Sequence, residues 1–170
     1  MSKLAKRLAA MTLVASMILS TAAFAAPSPT GGNTDTTNVT TSPIDDDNVE
    51  VTKATSTANT IVIDGVEDGK HVKVIAKGTV SDKAYDSITF ECYRRTQFKA
   101  NAVSGTAKKS KKIIITKRST AKKLKAKNFH KNAFKGFKGT IIVKKSAMTK
   151  KEFKKLKKKL KGIKKIKYQA

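Results

Sequence analysis

Hydrophobic positions in this chain come in short β-branched runs, set apart by polar stretches of similar length. Thr60-Ile61-Val62-Ile63, His71-Val72-Lys73-Val74-Ile75, Ile88-Thr89-Phe90, Ile113-Ile114-Ile115-Thr116 and Thr140-Ile141-Ile142-Val143 each have the length and composition of a strand. Run starts fall at Ile61, Ile88, Ile113 and Ile141, and Ile163-Lys164-Lys165-Ile166 continues the series. The intervals are 27, 25, 28 and 22 residues. Recurrence at that period predicts a repeat architecture in which each unit lays one strand beside the last. Between the first two runs, Glu67-Asp68-Gly69-Lys70 carries the Asp-Gly signal of a tight turn, so Ile61 to Ile75 is expected to begin as a hairpin.

A second element recurs between the runs. Val80-Ser81-Asp82-Lys83-Ala84-Tyr85, Phe98-Lys99-Ala100-Asn101-Ala102-Val103 and Phe129-His130-Lys131-Asn132-Ala133-Phe134 share one form: an apolar residue, three spacers, an alanine and a further apolar residue. Apolar positions at i, i+4 and i+5 fit one helical turn with a buried inner side. Gly105 and Gly136 stand where two of these turns would stop.

The final helix has the fullest set of local signals. Thr149-Lys150-Lys151-Glu152 reads as a capping box, with Thr149 accepting from the Glu152 amide and Glu152 reaching back. Met148 and Phe153 are placed as a hydrophobic staple. Phe153, Leu156 and Leu160 form one apolar stripe and Gly162 is a terminator, which predicts a helix over about 150–161. Lys151, Lys154, Lys155, Lys158 and Lys161 fall on the opposite face. Their plainest reading is the wet side of an amphipathic helix.

Before residue 51 the texture differs. Lys3, Lys6 and Arg7 precede an apolar run from Leu8 to Leu19, and the run ends in small residues through Ala26. Ala23-Phe24-Ala25 suits a signal peptidase, and Pro27 disfavours a cut after Ala26, so residues 1–25 read as a signal peptide cleaved after Ala25. The apolar run is shorter than the ~20 residues a bilayer needs, which disfavours an uncleaved anchor. No cysteine marks a lipoprotein cut, and no later run predicts a membrane span. Residues 26–50 are rich in Thr, Ser, Asn, Pro and Gly, and are expected to form a disordered linker. Within them, Asp45-Asp46-Asp47 lacks the glycine and ligand spacing of a calcium loop. Residues 51–170 are then the folded domain.

Charge adds a further asymmetry. The chain carries a formal net charge of +25, with 37 Lys and Arg against 12 acids. Beyond Cys92, Glu152 is the single acid among 29 cations. Such a surface attracts polyanions and repels copies of itself. A lone cysteine makes no internal disulfide, and Cys92 reads as a buried thiol in preference to an interchain pair.

Lys112-Ile113-Ile114-Ile115-Thr116 and Asn132-Ala133-Phe134-Lys135-Gly136 resemble the leucine-rich repeats of BspA-like surface proteins, which pair a short Ile-rich strand with an "I-G-x-x-A-F" turn. Ala126 to Leu160 is similar to the C-terminal end of lysine-rich members, where the last repeat gives way to a Lys/Leu helix. The resemblance spans roughly 60–170 and is closest from Phe98. Phe98 and Phe129 replace the family's isoleucine, Lys99 and His130 its glycine, and Val103 an aromatic. The resemblance implies an α/β repeat: a short leucine-rich-repeat-like solenoid of about three to four irregular strand-plus-turn units with a C-terminal amphipathic capping helix. It also implies an extracellular, surface-associated protein that binds other proteins or polymers, and carries over no catalytic residue.

The residues themselves hold no catalytic constellation. His71 and His130 are the two histidines, and neither they nor Cys92 have metal-ligand spacing, so no metal or cofactor is expected. No phosphate loop, nucleophile elbow or carboxylate pair is present. The reading is a secreted or cell-surface repeat protein, non-enzymatic, that mediates protein or glycan interaction. The alternative is a cationic secreted binder of anionic polymers such as teichoic acid, glycosaminoglycan or nucleic acid, with Lys151, Lys154, Lys155, Lys158 and Lys161 as the binding residues. Nucleic acid is the weaker partner, because aromatic platforms among the basic groups are scarce.

Overall fold

A computed structural model describes residues 37–160 and 162–170. The signal-peptide reading (1–25), the first part of the predicted linker and Lys161 lie outside the described residues. The architecture is α/β: strands in two sheets, and one α-helix. The elements are β1 (Thr37–Asp45), β2 (Asn48–Ser56), β3 (Thr60–Ile63), β4 (Val66–Glu67), β5 (Lys70–Ile75), β6 (Ser87–Cys92), β7 (Gln97–Phe98), β8 (Lys112–Lys117), β9 (Thr140–Lys144), α1 (Lys150–Lys159) and β10 (Ile166–Gln169). Gly105–Lys109 and Ala126–Asn128 form short 3-10 turns.

All five predicted β-branched runs are strands. β3, β6, β8, β9 and β10 lie side by side in chain order, all parallel. Their register aligns Ile61, Ile88, Ile113, Ile141 and Ile166 in one row. The last unit is therefore three residues later than expected: Ile166, not Ile163, pairs with Ile141. Its interval becomes 25 residues, in line with the others. Ile163 instead packs against the core just beyond α1, its amide bonded to the Leu160 carbonyl at 3.3 Å.

Alternation along these strands sends one row in and the next out, as a pleated sheet requires. Ile61, Ile88, Ile113 and Ile141 are wholly buried, and Ile63, Phe90, Ile115 and Val143 behind them nearly so. Facing them across the core is a second parallel column, Val51–Ile75–Phe98–Phe129, carried by β2, β5, β7 and an isolated bridge. Four rings fill the middle: Phe98 stacks on Phe129 at 4.5 Å and meets Phe90 and Phe134 edge-on at 5.2 and 5.6 Å. Cys92 is a free, buried thiol.

The recurring apolar pattern is buried as expected in two of its three predicted copies and shifted in the other, but the expected helical turn does not form. Ala102, Val103, Ala133 and Phe134 are fully buried, but Ala84 is exposed. The partner of Phe98 is Ile75, so the earlier copy is Ile75-Ala76-Lys77-Gly78-Thr79-Val80, with Thr79 in the alanine position. Val80 correspondingly bridges Val103. The turns are not regular helix: Gly78 donates across to Asn101 O at 2.8 Å and Asn101 to Asn132 O at 2.9 Å, while Ala133 bonds back within its own turn to His130 O at 3.0 Å. Tyr85, released from the motif, is buried for another purpose. Its hydroxyl donates to the Asp82 carboxylate at 2.9 Å and accepts from Ser56 N at 3.2 Å.

The disordered-linker expectation is corrected from residue 37 onward. β1 and β2 pair antiparallel and β2 then runs parallel to β5, so the predicted boundary at 50/51 cuts through a strand. Low overall hydrophobicity misled because only one side of β2 needs apolar residues: Val49, Val51 and Ala54 are buried, and β1 contributes mainly backbone pairing. The Asp45-Asp46-Asp47 cluster is the hairpin turn, with Asp47 N donating to Asp45 Oδ1 at 3.1 Å. The hairpin also covers the first edge of the long ladder, where Val62 N donates to Thr37 Oγ1 at 3.2 Å. The hairpin predicted between Ile61 and Ile75 forms only in part. Asp68 and Gly69, both at positive φ, turn β4 back onto β5, whereas β3 pairs with β6.

At the other end α1 closes the stack. Thr149 accepts from Glu152 N at 3.3 Å, as predicted. The reciprocal half of the box is absent: Glu152 Oε2 accepts from Ala126 N at 2.8 Å, so it ties the helix to the preceding unit. Leu156 and Leu160 are buried, and Phe153 stacks on Tyr168 of β10 at 4.9 Å.

Spacing between units is tight at Gly139. A methyl group there would sit against the backbone oxygens of Ser110 and Lys111. The flanking amides of Lys138 and Thr140 are already bonded to Lys108 O and Lys111 O, both at 3.0 Å, so the chain has no room to retreat. Gly139→Ala should cost about 2 kcal/mol by overpacking, readable as a shift in urea midpoint at constant slope. A shift below about 0.5 kcal/mol would contradict the tight approach.

Candidate functional site

The long ladder presents its outer face as a flat set of rows. Val62, Thr89, Ile114, Ile142 and Lys167 are in register across it. Val62 is 51% exposed, and Thr89, Ile114 and Ile142 are half-buried. An apolar row is thus displayed between charged borders. Lys111 and Lys112 stand at one end, with Lys111 paired to Asp86 at 2.8 Å. At the other end Asp64, Glu91 and Arg118 cluster, and Arg118 bonds Asp64 at 3.2 Å.

Electrostatics at that acidic end differ from the rest of the molecule. A hydrogen bond with Asp64, together with burial, pushes Glu91 up to about 7. Burial pushes Glu67 up to about 7 as well, against the opposing bond from Asp64 N at 3.2 Å. In both cases the folded state holds its proton more tightly than an ordinary glutamate does. Their favourable effect is therefore complete below about pH 4.5 and lost as pH rises through about 7. Asp45 and Glu152 act the opposite way. Asn48 holds Asp45 low and Ala126 N holds Glu152 low, so their effect disappears only in acid below the ordinary carboxylate range. Stability in about 0.3 M salt, which damps general self-repulsion, should peak near pH 5. It should exceed the value at pH 8 by on the order of 1 kcal/mol. Glu67→Gln should flatten this dependence; an unchanged profile would show that Glu67 is not its source.

The predicted lysine face occupies α1. Lys151, Lys154, Lys155 and Lys158 are all exposed on it, and Lys161 is outside the described residues. Lys155 is engaged with Glu152 Oε1 at 2.9 Å. These groups make a solvated cationic surface. His71 and His130 are far from forming a pair: His71 packs on Tyr93 at 4.3 Å, and His130 Nδ1 accepts from Asn132 N.

A third feature was missed by sequence reasoning. Arg94 and Arg95 form the turn between β6 and β7, and both line two adjoining cavities of about 400 and 310 Å³. The turn is closed by Thr96 N bonding Tyr93 O at 3.1 Å. Thr96, 1% exposed, donates its hydroxyl to Val72 O at 2.9 Å, and Asn128 donates from Nδ2 to both Arg94 O and Thr96 O at 2.9 Å. The only available signal was compositional: an Arg-Arg dipeptide in a chain whose other cations are lysines apart from Arg7 and Arg118.

Among the described residues no group of three or more His, Cys, Asp and Glu could hold a metal ion, and no helix is long and apolar enough to cross a membrane. No protein-family model, curated protein or solved structure matches the chain.

Proposed function

We propose that this chain is an exported, non-catalytic surface protein whose strands build a short leucine-rich-repeat-like solenoid, and that the outer face of its long ladder mediates contact with a protein or glycan. The observation that carries this reading is the in-register parallel ladder, one strand per unit, with the Val62–Ile114–Ile142 row left open on its outer side. The N-terminal sequence supports export, with cleavage after Ala25. The hairpin at one end and α1 at the other suit the covered terminal units that such stacks need.

A second reading has its own support. The exposed lysines of α1 favour retention by anionic wall or matrix polymer. One fractionation separates the two. Cells producing the protein are divided into medium, wall and membrane, and the wall is washed with about 0.5 M salt, which shortens the screening length to roughly 4 Å. The first reading expects mature chain beginning at Ala26, retained through the wash, and released when Ile114 and Ile142 are both changed to lysine. Complete release of the unaltered chain by salt would favour the cationic reading. Recovery inside the cell with Met1 intact would sink both.

A further inference from the structure

We propose that the Arg94–Arg95 turn is a binding site for an acidic oligosaccharide, one that carries sulfate or carboxylate groups among free hydroxyls. The proposal rests on the cleft alone and holds whether or not the ladder face binds a partner.

Four observations converge there. First, the two guanidinium groups have no ion-pair partner among the described residues, whereas the third described arginine, Arg118, is occupied by Asp64. Second, the same two residues line both cavities, so one extended ligand could meet both. Third, the turn is built rather than loose: buried Thr96 and Asn128 hold its backbone through three hydrogen bonds, and the Thr96 hydroxyl ties it to Val72 O of β5. The arginine side chains take no part in that scaffold and project from a fixed base. Fourth, this is an arginine pair in a molecule of 37 cations that are almost all lysine. The planar fork of arginine binds a sulfate or carboxylate with two parallel hydrogen bonds, which a lysine ammonium does not reproduce.

The rest of the lining selects among anions. Lys122 on one side and Lys125 and Lys127 on the other supply further positive charge, whereas Lys73 is paired with Asp45 at 3.4 Å. Asp47, Asn48 and Thr120 line the larger cavity, and Tyr93 offers a ring braced by His71. A carboxylate accepts hydrogen bonds from sugar hydroxyls but opposes an unbroken row of phosphates. With one ring in place of a series, the cleft lacks the successive stacking platforms that single-stranded nucleic acid uses. A glycan with spaced charges and hydroxyls meets both conditions.

The test uses the full chain and a fluorescent heparin-derived hexasaccharide, titrated by anisotropy at about 0.15 M salt. Changing Arg94 and Arg95 together to glutamine should weaken binding on the order of 10-fold or more. The double change to lysine should still cost several-fold, although net charge is unaltered. Lys154→Gln with Lys158→Gln removes the same charge from α1 and should cost less than about 2-fold. Melting of each variant is recorded alongside; should the glutamine pair unfold, the lysine pair carries the decision. Equal losses for the turn and helix pairs, or full affinity in the lysine pair, would overturn the site. A single-stranded oligonucleotide of matched charge that binds as tightly, with the same arginine dependence, would overturn the glycan assignment.

Discussion

Asn128→Ala should cost the fold about 4 kcal/mol, one of the two largest single-residue losses expected in this molecule. Asn128 is 3% exposed and uses its whole side-chain amide. Nδ2 reaches Arg94 O and Thr96 O at 2.9 Å, and Oδ1 accepts from Lys125 N at 3.0 Å. Alanine would leave two carbonyls and one amide without these partners, the Thr96 carbonyl among them buried. Each orphaned group costs on the order of 1–3 kcal/mol. Asn128→Asp should not rescue, because a carboxylate would face the two carbonyl oxygens with no hydrogen to give. Urea unfolding monitored by circular dichroism measures the loss. A shift below about 1 kcal/mol would show that the asparagine does not hold the two units together.

Phe98→Ala should cost a similar amount, about 4 kcal/mol. The ring lies at the centre of the core, stacked on Phe129 and edge-on to Phe90 and Phe134. Its loss removes contacts from both facing columns at once and leaves a hole that rigid neighbours cannot close. Phe98→Leu retains most of the buried volume and should recover more than half of the loss. Comparable destabilisation by leucine and alanine would mean that ring geometry, and not filled volume, is what the site requires.

How far the fold was legible follows from which forces act locally. Four of the five ladder strands, β3, β6, β8 and β9, were readable because each β-branched run contains its own signal; β10 was placed three residues early, at Ile163, because its short run offers two isoleucines and only pairing with Ile141 chooses between them. The Thr149 cap was readable for the same reason. Glu152 was half-misread: its partner, Ala126 N, is 26 residues away, and no local rule points to it. The Val80–Tyr85 copy failed because a pattern match says nothing about register; pairing between Ile75 and Phe98 decides it. β1 and β2 were hidden because they are held by strand pairing, β1 on β2 and β2 on β5, so a weakly apolar sequence suffices. The lysines of α1 were placed on the solvent side as expected. The arginine turn escaped notice because its scaffold assembles Thr96, Val72 and Asn128 from three separate units.

All of these readings depend on one structural statement: the Ile-rich strands lie parallel and in register, strand beside strand. Methyl-labelled nuclear magnetic resonance tests it directly. Nuclear Overhauser contacts should connect Ile88 with Ile113 and Ile113 with Ile141, and on the outer face Ile114 with Ile142. A second set should join Ile141 to Ile166 and not to Ile163. Contacts that pair these strands antiparallel, or that link Ile141 to Ile163, would contradict the parallel ladder and the surface built on it.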